Sequence, residues 1–520
     1  MSEYPIATVN ILSSNIFASL DERNILLVGQ KTSAGSATSG ELKNFITANE
    51  LNDFFGADSR IAIAGKALLK TLAISNKRPK LNAIALDDSA SGAFATGSIA
   101  ITGTATATGN LTFYLDSIKN GAYSIDVAIG DTAVAIATKL DALVNANASC
   151  PANSTLATST LTLTAVNKGL VGNDIGLKVA GSVAGISITL TAFSGGTGIP
   201  TITSLFDTIV NSKLRFTTIV YPAEFTLSTL TTLTESRFNV NNNVLDGLGV
   251  ITKTDTYANN NSFLDALNFK TLDVICNNKV ASAKHKGGAI FENNLTISAI
   301  IGAIRELRLT VNSNISAIMS NGETQGGLFN GAIPYFNTLS LELPIIEIGN
   351  DYLEEERDEI KASGGSCPTN NGSNTYIDIN KQLTTYKTDG LGQVDTTYKS
   401  VNTVDTMSIV REYFFRNIKK DFAQHALTSG QVVANRKMVN KESFVATLCD
   451  YYIQLSGLAN LNSNYALLVA SNEALEYFKK SILDTIVINL QNGSIISECA
   501  TPIVSQLEEI IINLIPQFEV

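Results

Sequence analysis

Only two imidazoles occur in the 520 residues, His285 and His425, so acid–base chemistry near neutral pH would have to run through one of them. His285 sits in Lys284-His285-Lys286-Gly287-Gly288, the composition of a solvated loop, and His425 follows a basic helical stretch. Each reads first as a structural or surface residue. A serine nucleophile needs a strained elbow of the G-x-S-x-G kind, and no such pentapeptide is present. H-E-x-x-H, C-x-x-C and histidine-rich spacings are missing, which argues against zinc. Gly169–Gly176 does not match G-x-G-x-x-G, and no G-x-x-x-x-G-K-[ST] loop exists to cradle a phosphate. Glu354-Glu355-Glu356 carries charge enough for a cation, but a run of acids on a polar stretch reads better as a solvated face. The expectation is a chain that is not an enzyme, with no catalytic, cofactor-binding or metal-binding residues and no cofactor.

Two other features call for a physical role. The first is the pair of chain ends. Tyr4, Ile6, Val9 and Ile11 alternate loosely behind Pro5 as an extended arm. Ile512, Leu514, Phe518 and Val520 close the sequence as an apolar strand. Unpaired strands expose rows of N–H and C=O groups, which are met either by folding back on the same subunit or by adding to a neighbour's sheet. The second feature is segregated charge. Arg411, Arg416, Lys419, Lys420, Arg436, Lys437 and Lys441 fall within Ile409–Lys441, opposed by Glu412 and Asp421. In a chain of net charge −10 this patch is either a docking surface for an acidic partner or an ordinary solvated helix face.

The elements that must position these features are legible from periodicity. Between Arg78 and Arg215 there is no Arg, Glu or His, and the span alternates Thr, Ser, Gly and Ala with Val, Ile and Leu. It reads as a β-rich module of strands near 98–102, 110–115, 123–129, 160–165, 175–179 and 186–192, with one helix capped by Asp131. Around it, short apolar runs at Ile25–Val28, Ala83–Leu86, Phe216–Tyr221, Gly247–Ile251 and Leu272–Cys276 alternate with helical stretches, which implies a largely parallel sheet. Toward the C-terminus, Thr403 or Asp405 is expected to cap a helix with Met407, Val410, Phe414, Ile418 and Phe422 inward. Asn440 is expected to cap another helix that ends at Gly457, and Leu467–Ala470 and Ile486–Leu490 read as strands. The fold class expected is α/β and α+β multidomain: an α/β middle domain interrupted by a β-sandwich-like insertion, plus a C-terminal α+β domain.

Composition bounds the partners. Charged residues make up 16%, against roughly 25% in ordinary globular chains. A charge-poor surface suits extensive protein–protein contact, although a mesophile's Asn-rich codon bias gives the same statistic. Net negative charge argues against general nucleic-acid binding. Five scattered cysteines without a C-x-x-C pair point to free thiols in a reducing cytoplasm, and no apolar run approaches the roughly 18 residues that would span a bilayer.

Five segments, in order, resemble a known family. Residues 54–64, FFGADSRIAIA, resemble "FGxGSxLA"; residues 161–177, LTLTAVNKGLVGNDIGL, resemble "TLTARxKGxxGNDIxL"; residues 192–200, AFSGGTGIP, resemble "AxxGGxGNP". Gln382–Tyr386 and Asp395–Thr403 resemble the two halves of "xxTTYQxNxxGxxDPSYxDVNT". The family is that of contractile tail sheath proteins of Mu-like myophages. Asp58 departs from the first motif, and the sequence after Tyr465 diverges.

The resemblance implies an arm at 1–22 that packs with an inner domain, and a middle domain at 23–91 and 200–385 whose family label is "subtilisin-like". It implies an outer β-rich domain at 92–199 and a tube-facing inner domain at 386–520. It further implies stacked sixfold rings that form a helical homo-oligomer around a tail tube protein, with baseplate and tail terminator proteins as partners. Nucleic-acid binding and direct membrane insertion are not expected. The subunit would be assembled in the host cytoplasm and located in the virion tail. Strand exchange would run through Tyr4, Ile6, Val9, Ile11, Ile512, Leu514, Phe518 and Val520. The tube-facing basic surface would comprise Arg411, Arg416, Lys419, Lys420, Arg436 and Lys437. A bacteriocin-type or other injection particle is the near alternative, and a subtilisin-like hydrolase the distant one.

Overall fold

A computed structural model describes residues 23–73, 79–238, 245–278, 290–309, 352–370, 377–379, 381–433, 436–458, 467–491 and 493–503. The chain is a mixed α/β protein with several sheets and, among the described residues, eleven α-helices. It divides into two compact units, the smaller made mainly of the residues from Asn402 onward.

The larger unit opens with β1 (Asn24–Gln30), in which every residue is buried, then β2 (Leu42–Phe45) and helix α1 (Ala48–Phe55). Thr47 and Glu50 form a reciprocal cap at the start of α1, and Ser59 caps α2 (Arg60–Leu72) by accepting from the Ala62 amide. β3 (Lys80–Leu86) follows. The β-rich stretch then supplies β4 (Phe94–Gly103), β5 (Gly109–Leu115), β6 (Ser117–Val127), helix α3 (Ala133–Ala146), β7 (Ala152–Ala157), β8 (Thr160–Lys168), β9 (Leu177–Ala180) and β10 (Ile186–Ser194). After it come α4 (Thr203–Asn211), β11 (Thr218–Val220), α5 (Leu227–Arg237), β12 (Leu248–Asp255), α6 (Tyr257–Asp265), β13 (Leu272–Asn278), α7 (Asn294–Leu309) and α8 (Glu354–Ala362).

Six strands make the main sheet in the order β13-β12-β11-β1-β3-β2, parallel except for the edge strand β2. Near-continuous apolar runs such as Ile25–Val28 are what a sheet buried on both faces requires. β3 and β11 lie on either side of β1, so the winding direction reverses there. The β-rich stretch falls within the connection between those two flanking strands.

That stretch builds a four-stranded sheet, β10-β4-β8-β7, and a three-stranded one, β6-β5-β9. Ile99, Ile101, Phe113, Leu140, Leu161 and Leu163 meet in one core separate from that of the main sheet. The opposite face of the larger sheet carries exposed Thr155, Thr162, Thr189 and Thr191, which shows where hydroxyls have replaced charge. Two local expectations need correction. Thr132, not Asp131, caps α3 by accepting from the Ala135 amide; the Asp131 carboxylate instead accepts from the Ala128 amide and from Lys139. β7 had no sequence signal, because its alternation of Ser, Thr and Ala is too weakly apolar to mark a strand.

β14 (Pro368–Asn370) and β15 (Ile377–Ile379) form a small hairpin. The larger unit runs on through Val401, tied by a bridge between Leu383 and Ser400. Helix α9 (Val401–Asp421) starts directly after that bridge, so Thr403 and Asp405 lie inside the helix and do not cap it. In the smaller unit, β16 (Ala426–Leu427) pairs in parallel with β17 (Met438–Val439). Helix α10 (Lys441–Ser456) is capped by Asn440 and ends at Gly457 with φ 72°, as expected. Helix α11 (Asn472–Thr485), unforeseen from the sequence, precedes the hairpin β18 (Val487–Asn489) and β19 (Ser494–Ile496). Leu467–Ala470 is not a strand; Leu468 makes a single bridge to Ile503. The Tyr452 ring packs 4.8 Å from Phe478, and its hydroxyl donates to the Val469 carbonyl at 2.8 Å. All five cysteines are free thiols. No helix among the described residues is long and apolar enough to cross a membrane.

Candidate functional site

In open α/β sheets, ligands settle outside the C-terminal ends of the strands where the winding reverses. Here that position is a narrow crevice lined by Gln30 from the end of β1, Glu224 just after β11, Arg60 at the start of α2, and Asn294 at the start of α7. Asp174 and Val171 from the β-rich stretch close it. The lining contains no histidine, cysteine or hydroxyl nucleophile.

Polar side chains around the crevice are tied to one another. The Arg60 guanidinium forms a buried ion pair with Asp116 and donates to the Val171 carbonyl at 3.0 Å. Asn293 caps α7 by accepting from the Thr296 amide at 2.8 Å, and its amide nitrogen donates to Asp116 at 3.1 Å. Asn294 donates to Asp174 at 2.7 Å and accepts from the Thr254 hydroxyl at 2.6 Å. The carboxylates of Asp116 and Asp174 thus meet the Arg60, Asn293 and Asn294 side chains at the starts of α2 and α7. Burial pushes the Asp116 carboxyl up, and Arg60 and Asn293 pull it back. Asp116 adopts φ 64°, a left-handed conformation that non-glycine residues rarely hold without a tertiary reason.

The segments that carried the resemblance meet at such sutures. Asn167 in the second segment donates to Asp88 at 3.0 Å and to the Lys31 carbonyl at 2.9 Å; Gln30 donates to Asp88 at 2.6 Å. Asn173 exchanges two hydrogen bonds with Gly196 of the third segment, at 3.0 and 2.9 Å. Tyr386 donates to Asp395 at 2.7 Å, and Thr384 donates to the Tyr398 carbonyl at 2.6 Å, which joins the two halves of the last motif. Some of these ties join distant elements, as Asn167 does to Lys31 and Asp88, and others close a local turn, as Tyr386 does with Asp395. Sequence reading located the motifs but not their partners, since Arg60 and Asp116 stand 56 positions apart.

The basic residues occupy the smaller unit. Arg411 is half-buried on α9, and Arg416 is engaged by Glu412 one turn away at 2.6 Å. Lys419 and Lys420 are exposed in the last turn, where positive charge complements the helix dipole, and Lys419 lies 4.1 Å from the centre of the Phe415 ring. The β16–β17 pairing returns exposed Arg436 and Lys437 beside the end of α9, and Lys437 donates to Gln424 at 3.2 Å. Lys419, Lys420, Arg436 and Lys437 therefore gather at one end of the helix, whereas Arg416 is largely compensated. On the inward side Phe414 meets the Tyr451 and Phe478 rings, and Phe422 meets Phe444.

The hairpin β18–β19 is two-stranded, and among the described residues no further strand pairs with either edge. Val487 and Ile496 are 59% and 65% exposed on it. Isolated hairpins of this kind are marginal until another strand joins them. Tyr4, Ile6, Val9, Ile11, Ile512, Leu514, Phe518 and Val520 lie outside the described residues, as does His285. Among the described residues, no group of three or more His, Cys, Asp or Glu side chains is arranged to hold a metal ion.

No protein-family profile matches the chain. A Mu-like prophage FluMu tail sheath protein of Haemophilus influenzae is 26% identical over 431 residues, covering 80% of each chain. The sheath resemblance read from the five segments is thus met by a homologue that bears that name. Among solved structures, a sheath tail protein from Listeria innocua aligns over 94% of this chain and 93% of its own, with 12% identity and TM-score 0.43. One from Desulfitobacterium hafniense aligns over 87% and 89%, with 11% identity and TM-score 0.40.

Proposed function

We propose that this chain is the structural subunit of a contractile tail sheath, in a bacteriophage or a phage-like injection particle such as a bacteriocin. The observation that carries the reading is similarity to a tail sheath protein across four-fifths of both sequences, with no catalytic constellation in the crevice. Copies add head to tail without closing, which makes a helical tube of stacked sixfold rings around a tail tube protein, between a baseplate and a tail terminator. Each copy lends its terminal strands to its neighbours. The edges of β18–β19, unpaired by any other strand among the described residues and flanked by exposed Val487 and Ile496, are the acceptor we assign to strand addition.

The sutures around Arg60, Asp116 and Asn293 hold the larger unit of each subunit together, so it moves as a body in lattice rearrangement while strand tethers persist. Contraction from a metastable extended state exchanges weak polar contacts with the tube for subunit–subunit burial, at roughly 25 cal/mol per Å² of apolar surface. Multiplied over many copies, a few kcal/mol each drive the tube through a cell envelope without a nucleotide. Assembly takes place in the host cytoplasm, and the product resides in the virion tail.

The cluster of Lys419, Lys420, Arg436 and Lys437, with Arg411 and Arg416 further along α9, supplies the tube-facing charge. Changing Lys419 and Lys420 to Glu is expected to lower affinity for the tube about tenfold or more at low salt, with the loss shrinking as salt rises. Sheath self-assembly is expected to be unaffected. Co-sedimentation of purified sheath and tube proteins measures this, and unchanged co-assembly removes the surface from the account.

A further inference from the structure

At the β13 edge of the main sheet the chain returns alongside the strand just before β14. Ile275 and Ser366 form a parallel bridge there. The Cys276 amide donates to the Ser366 carbonyl at 2.8 Å, and the Ser366 amide donates to the Val274 carbonyl at 2.9 Å. This register sets Cys276 directly opposite Cys367. Opposed residues of parallel strands point to the same face about 4.8 Å apart, within the roughly 4.4–6.8 Å between Cα atoms that a disulfide spans.

The side chains agree with the register. Both cysteines belong to one core, at 0% and 2% exposure. The Cys276 sulfur lies against the returning segment, since a Cβ added to Gly365 would come within 3.0 Å of it. Ser366 donates to Asp273 at 2.6 Å and accepts from the Leu383 amide at 2.8 Å, so side chains as well as backbone hold the segment in place. Burial, and next to it the Cys367 thiol, push the Cys276 thiol well above its ordinary value. Reactivity of the pair therefore comes from placement and not from a readily formed thiolate. The one other cysteine of the larger unit, Cys150, lies in the separate core of the β-rich stretch.

We propose that Cys276 and Cys367 are a modification site, a dithiol that a peroxide converts to an intramolecular disulfide. In the first step one sulfur attacks a peroxide oxygen and the O–O bond breaks. The sulfur becomes a sulfenic acid, and the departing hydroxide takes the thiol proton to leave as water. The second sulfur then attacks the sulfenic sulfur; the S–S bond forms, the S–O bond breaks, and hydroxide leaves as water with the second thiol proton. The two thiols lose two electrons, which reduce hydrogen peroxide to water. Hydrogen peroxide is small enough to reach the core during local opening. The product staples the edge of the main sheet to the segment that enters β14. This inference is independent of the sheath reading, because both residues belong to one chain.

The test uses the full-length wild-type chain, treated with a dose of hydrogen peroxide that leaves its circular dichroism unchanged. Catalase stops the reaction, and the chain is denatured, alkylated and digested without reductant for mass spectrometry. More than about half of Cys276 is expected in a peptide joined to that of Cys367, separable by dithiothreitol. Cys367→Ala is expected to abolish the joined species and leave Cys276 as a thiol or a sulfinic acid. The wild-type map decides the matter even if that variant does not fold. Recovery of both residues as alkylated thiols, or as separate sulfinic acids, overturns the assignment. So does a disulfide that joins either one to Cys150, Cys449 or Cys499.

Discussion

Deleting residues 511–520, or residues 1–12, is expected to leave a folded, soluble chain that no longer grows long tubes. The lost segment supplies Ile512, Leu514, Phe518 and Val520 in one case and Tyr4, Ile6, Val9 and Ile11 in the other. On the proposed account each segment adds a strand to a neighbour's sheet. About four backbone hydrogen bonds at about 1 kcal/mol each then vanish from every subunit contact. That corresponds to roughly a thousandfold weaker association, enough to move assembly out of the micromolar range. Sedimentation velocity and electron microscopy of the truncated chains measure the effect. Normal tube growth by both truncations contradicts strand exchange.

The largest effect on stability is expected from Arg60→Met. Arg60 is 5% exposed and Asp116 2% exposed, and the replacement strands a buried carboxylate among Asn293, Asp174 and the start of α7. Breaking such a pair from one side costs about 3–5 kcal/mol, most of it the penalty of an uncompensated buried charge. Pairing it with Asp116→Asn should recover a substantial part of the loss, because the stranded charge is then gone. Denaturant melts of the three variants test this. A single-variant loss below about 1 kcal/mol, or simple additivity in the double variant, contradicts the assignment of Arg60 and Asp116 as the main tie across the crevice.

Much of the framework was legible because the responsible signals are local. Ile25–Val28 announces a doubly buried strand, and Asn440 with Gly457 brackets a helix by capping chemistry alone. The absence of Arg and Glu from the β-rich stretch marks a surface finished with threonine. What could not be read depends on distant partners. Asp116 shows no local signature of its role, which comes from Arg60 and from Asn293, 177 positions later. The start of α9 was misplaced because the helix already begins at Val401, directly after the tertiary bridge between Leu383 and Ser400. Glu412 was legible as an opposing charge within the basic run, and the helix turn pairs it with Arg416. Helix α11 went unread because its two buried anchors, Phe478 and Ile482, are spaced too sparsely among polar residues to stand out.

Electron cryo-microscopy of the assembled full-length chain tests polymerisation by strand lending most directly. A reconstruction is predicted to show the first and last segments of each protomer hydrogen-bonded into sheets of adjacent protomers, with β18–β19 as part of the receiving sheet. Both ends folded wholly within their own protomer, with no contact between copies along a tube, would contradict it.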